Sequence, residues 1–174
     1  MIAFVGCGTT QRTNKEVTEQ YFYARNAMDF PMINSLISDS ITVIEGDYTM
    51  PYSKESFYEV FKWDSVFQTS YDIINLQEEQ ERIIASIRLS SIRNRFLYND
   101  TMTCQFRLTF KEDKISTIES LDCENANWEV WQERVTELVE WIDSNHPELN
   151  GFIFDLTMGG AKDYIEAIQL FKSN

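Results

Sequence analysis

Two hydrophobic periods divide this chain. Over residues 16–28 the apolar positions Val17, Tyr21, Ala24 and Met28 recur at helical spacing, which predicts an amphipathic first helix with Asn14 as its N-cap. A second short helix is expected from Asp29, with Pro31 in its first turn and Ile33, Leu36 and Ile37 facing inward. Residues 40–45 are rich in β-branched side chains and read as a strand, closed by a turn at Gly46-Asp47. Ser53 then caps a third helix, with Phe57, Val60, Phe61 and Trp63 on its inner side.

After that helix the period falls to two. Phe67, Thr69, Tyr71 and Ile73 alternate with polar residues. So do Ile83, Ala85, Ile87 and Leu89, on a long strand expected to carry Arg88, Arg93 and Arg95 on its wet face, where any of them turned to the cavity would instead select an anionic ligand. A turn at Asn99-Asp100 leads to Met102, Cys104, Phe106, Leu108 and Phe110, and residues 111–113 turn the chain back into 114–122. Helical spacing returns at residues 127–145, in a stripe of Trp128, Trp131, Val135, Leu138, Val139 and Ile142. It recurs at 161–172, through Tyr164, Ile165, Ile168 and Phe171. Both faces are apolar enough to pack on the domain.

Helices first, then a meander of long antiparallel strands, predicts an α+β fold. Long strands twist, so the expectation is a cone-shaped, strongly curved antiparallel sheet with the N-terminal helices on its concave face. A cavity is expected at the open end. The predicted divisions are an N-terminal tether over 1–13, the cone domain over 14–125 and a helical extension over 126–174.

Charge narrows the partners. A net charge of −13 in 174 residues opposes approach to phosphate backbones and anionic membranes, so no nucleic-acid partner is expected. One histidine, His146, and three scattered cysteines, Cys7, Cys104 and Cys123, predict no metal site and no cofactor. Cys104 and Cys123 should lie diagonally across a hairpin whose turn is centred between Glu112 and Asp113. That is poor disulfide geometry, so both are expected to be reduced. Phe4-Val5-Gly6-Cys7 resembles a bacterial lipobox, followed by a polar stretch. Lipidation of Cys7 would anchor the chain in the cell envelope, at the periplasmic or outer surface, and would be its one membrane contact. Without it the expected location is the cytoplasm.

The segment Tyr21-Phe22-Tyr23-Ala24-Arg25-Asn26-Ala27-Met28-Asp29-Phe30 and the run Leu36-Ile37-Ser38-Asp39-Ser40-Ile41-Thr42-Val43 resemble the nuclear transport factor 2-like superfamily, with its SnoaL-like members. The resemblance covers about residues 14–122 and implies a scaffold shared by enzymes and binders. Ketosteroid isomerase, within that superfamily, pairs a carboxylate base with a tyrosine and a protonated acid. By resemblance Tyr21 stands at the tyrosine, Glu45 at the base and Phe106 at the acid. A phenyl ring cannot donate a hydrogen bond, so steroid isomerisation is not expected. Three readings remain open. One is a pocket for a small, largely apolar ligand, lined by Tyr21, Glu45, Trp63, Phe67, Cys104 and Phe106. Another is an isomerase or lyase with Glu45, partly buried, as base and Tyr21 as donor. The last is an interaction protein with a filled cavity. The sheet is also the surface through which a homodimer would form.

Overall fold

The computed structural model describes residues 12–100 and 102–174. Helix α1 (Asn14–Asn26) is capped by Thr13 rather than Asn14. The Thr13 hydroxyl accepts from the Glu16 N–H, and the Glu16 carboxylate accepts from the Thr13 N–H. This box satisfies two orphan donors at once and leaves Asn14 to donate to the Glu81 carbonyl. Helix α2 (Phe30–Leu36) begins after Asp29 as expected.

Strand β1 (Ile37–Glu45) turns at Gly46, whose φ of 56° suits glycine. It returns as β2 (Tyr48–Ser53), a strand the sequence pattern does not announce. Pro51 explains the silence. Without an N–H it fits only an edge strand, and β2 is the edge of the sheet.

Helix α3 (Lys54–Val66) follows its Ser53 cap. Phe67 terminates α3 and does not open the expected strand, since β3 (Ser70–Glu79) starts three residues later. Strand β4 (Arg82–Ser90) buries Ile83, Ala85, Ile87 and Leu89, as its alternation predicts. It ends before the two arginines assigned to it. Ser91 caps a short helix α4 (Ile92–Phe96), which carries Arg93 and Arg95 instead. Strands β5 (Met102–Lys111) and β6 (Lys114–Glu124) complete the sheet.

The sheet is curved and six-stranded, in the order β2-β1-β6-β5-β4-β3. Every pairing is antiparallel except β1 with β6. Inside lies one core, in which Val17, Tyr21 and Phe22 of α1 meet Ile83, Ile87 and Leu108 of the sheet.

The β5–β6 hairpin corrects the expected cysteine pairing. Lys111 faces Lys114 at the turn, but the register shifts once between Thr109 and Phe110 and again between Cys104 and Phe106. Each bulge inserts one residue into β6. Together they carry Cys123 from the diagonal to directly opposite Cys104, with the Cα atoms 4.0 Å apart, and the two form a disulfide.

Helices α5 (Trp128–Asn145) and α6 (Met158–Lys172) build a second core with Phe67, Phe96 and Leu97. Leu138 and Ile142 are fully buried there, and Trp131 and Val135 partly. Trp128 departs from the expected stripe. At the first position of α5 it stands 54% exposed, edge-on to Trp131. Two short 3-10 turns, Pro147–Leu149 and Phe152–Phe154, join the helices. Helix α6 starts three residues earlier than expected because Thr157 caps it. Gly160 then lies against Asp155, where a Cβ would fall 2.1 Å from the Asp155 carbonyl oxygen.

Candidate functional site

Helix α3 carries side chains in two directions. Phe57 and Phe61 enter the first core, while Trp63, Val66 and Phe67 join the second. Asp64, between those faces, reaches the wall where α1 and β3 meet. Its Oδ2 accepts from the Arg25 guanidinium and from the Tyr71 hydroxyl at 2.6 Å, and its Oδ1 from the Thr69 hydroxyl at 3.2 Å. Arg25 also donates to the hydroxyls of Tyr71 and Tyr21. Asn26 and the Tyr71 backbone exchange two hydrogen bonds, which fix β3 against the end of α1.

These charges are held in place. Burial disfavours the Arg25 cation, but the oxygens of Tyr71, Tyr21 and Asp64 outweigh it and keep the guanidinium protonated well beyond its ordinary range. Burial pushes the Tyr71 hydroxyl well above the usual phenol value, against the pull of Arg25. Asp64, accepting from Arg25, Tyr71 and Thr69, is the acceptor that anchors the cluster.

A second arginine stands nearby under different terms. The Ile92 N–H donates to the Phe67 carbonyl and ties the start of α4 to the end of α3. Arg93 then lies over three rings, 4.9 Å from the Trp63 centroid, 5.1 Å from Phe67 and 5.4 Å from Trp131. Burial lowers its pKa, and the fields of Tyr164, Asp64, Tyr71 and Glu45 oppose that shift.

The residues expected to line one pocket separate. Tyr21, Cys104 and Phe106 belong to the first core, where Phe106 lies 6.2 Å from Phe22. Trp63 and Phe67 belong to the second. Glu45, the last residue of β1, is exposed rather than partly buried, since it sits beside the turn into β2. Cys104 is tied into its disulfide. Cys7 lies outside the described residues. Arg25, Asp64 and Tyr71 were missed, because 39 and 46 residues separate the arginine from its two partners. Among the described residues, no group of three His, Cys, Asp or Glu side chains could hold a metal ion, and no helix is long and apolar enough to cross a membrane.

A curved sheet closed by helices, with a buried polar cluster against its wall, defines a cone-shaped α+β scaffold. It is the nuclear transport factor 2-like fold. The structure is similar to an NTF2-like protein of unknown function from Cytophaga hutchinsonii, at 12% identity and a TM-score of 0.53, over 65% of this chain and 92% of that one. A proposed polyketide cyclase from Streptomyces antibioticus matches at 9% identity and a TM-score of 0.54, over 72% and 99%. A proposed ketosteroid isomerase from Kribbella flavida matches at 8% identity and 0.53, over 66% and 79%. No protein-family model matches the chain, and no curated protein does.

Proposed function

We propose that the chain binds a small, largely apolar molecule without transforming it, as a SnoaL-like pocket protein. The observation that carries this reading is the engagement of Asp64 by Arg25, Tyr71 and Thr69. It leaves an anchored polar cluster against the rings of Phe61 and Tyr71, over both of which the Arg25 guanidinium lies. Glu45, the carboxylate that an isomerase or lyase reading needs, faces solvent instead. The neighbours described as a polyketide cyclase and a ketosteroid isomerase share this fold, which supports a small-molecule reading.

We infer a location outside the reducing cytosol. A cross-strand disulfide persists in oxidising compartments, and the Cys104–Cys123 bond agrees with the lipobox-like Cys7. Lipidation of Cys7 would make it a cell-envelope lipoprotein. Mass spectrometry of the protein from its native host should then show an acylated Cys7, and an intact unmodified Met1 would refute it.

The binding reading is tested by NMR titration with 1-naphthalenemethanol, a neutral apolar probe. Shift changes should concentrate at Phe61, Tyr71 and the adjoining Phe22. A second reading has its own support, since Tyr21 and Phe22 are each only 3% exposed. Such packing suits an interaction protein with a filled cone, and a titration with no shifts would favour it.

A further inference from the structure

We propose that Arg93 is the recognition site for a carboxylate on the bound ligand, in a subsite that the C-terminal extension completes. The inference rests on the small-molecule reading above and names the ligand class: an apolar body bearing one carboxylate.

Three observations carry it. First, Arg93 makes no direct ion pair among the described residues. Its guanidinium lies over three rings, Asp64 and Glu45 act on it only through space, and its Nε is buried with no hydrogen-bond partner. The contrast with Arg25, which has one carboxylate and two hydroxyls, is direct. A guanidinium left on aromatic faces keeps its planar fork for a carboxylate, which it can hold through two parallel hydrogen bonds.

Second, the box is built from three separate parts. Trp63 and Phe67 come from α3, Arg93 from α4 and Trp131 from α5. The joint is fixed by buried Asn99, whose Nδ2 donates to the carbonyls of Leu97 and Asn127, and whose Oδ1 accepts from the Asn127 N–H at 2.6 Å. The Asn127 side chain in turn caps α5. One asparagine therefore sets the position of Trp131 relative to the α4 segment.

Third, the surroundings limit the anion. Asp64 and Glu45 both act on Arg93 through space, and the whole chain carries a charge of −13. A dianion such as phosphate would meet that field twice over, whereas a monoanion is neutralised by the single arginine. The same net charge suppresses adventitious binding of carboxylates elsewhere on the surface.

The experiment is calorimetric titration of the full chain with 1-naphthoate and, in parallel, 1-naphthalenemethanol, which has the same rings without the charge. Wild type should bind the acid at least 10-fold more tightly. R93M should lose that preference, binding the acid and the alcohol alike. R93K should keep part of it, and R95M on the same helix should keep all of it. Equal affinity for acid and alcohol in wild type would overturn the subsite and leave the pocket standing. So would a preference that survives R93M. If neither probe binds, the small-molecule reading falls and the subsite falls with it. The wild-type comparison decides the matter even if R93M does not fold.

Discussion

The two cores on either side of α3 are built from different materials. The cone interior is largely aliphatic, drawn from alternating strand positions such as Ile83, Ile87, Leu108 and Ile115, and its buried cation is paired with a carboxylate. The second core is assembled from helix faces and is rich in rings. Its cations rest on those rings, Arg93 on Trp63, Phe67 and Trp131, and Arg134 on Phe96, Tyr98 and Phe171. Arg134 also reaches Glu137 at the surface. Pairing fixes a charge at one point and consumes its anion. Ring contact places a charge without consuming its hydrogen-bonding fork, so the two cores differ in what they leave available to a ligand.

The largest test of that difference is Asp64→Ala. Removing the carboxylate strands Arg25 in a part-buried site and should cost about 3–5 kcal/mol in urea unfolding. Arg93→Met, which strands no partner, should cost far less, and equal losses would erase the distinction. Next comes Leu138→Ala, which opens a hole in the second core and should cost about 2–5 kcal/mol. A single cooperative transition in both fluorescence and circular dichroism would show the cores unfolding together through α3. Two transitions would show that the ring-built core melts separately. The smallest effect concerns the disulfide. Replacing Cys104 and Cys123 by alanine should cost about 2–4 kcal/mol, felt in the cone. An unchanged denaturation midpoint would mean that the two bulges alone set the β6 register.

Much of this architecture was legible from spacing alone. The period-two runs of β4 and β5 and the 3.6-residue stripes of α1 and α5 report burial directly, because side-chain direction follows backbone period. What escaped was whatever spacing does not encode. Pro51 disguised an edge strand. Phe67 looked like the first position of a strand, but tertiary packing made it the end of a helix. The two β6 bulges moved a cysteine by two positions with no mark in the hydrophobic pattern. The candidate site was the least legible part, since Arg25 finds Asp64 only after α1 and α3 have docked, and Arg93 finds Trp131 only after the extension closes over α4. Glu45 came from resemblance and had the right residue type, but a strand end beside a turn exposes it.

The parallel pairing of β1 with β6 has a consequence for the birth of the chain. Strand β1 ends at Glu45 and its register partner there is Ser120. A chain emerging from its N-terminus holds β1 and β2 as a lone hairpin until β6 has appeared, and a two-stranded hairpin is marginal in water. At about 5–20 residues per second, the inner edge of β1 stays open for several seconds. That edge carries Ile41, Val43 and Ile44, a run with the β-propensity that favours intermolecular pairing. The vulnerable interval in the life of this protein is therefore its synthesis, and a chaperone that holds extended apolar segments would find its natural substrate in residues 37–45.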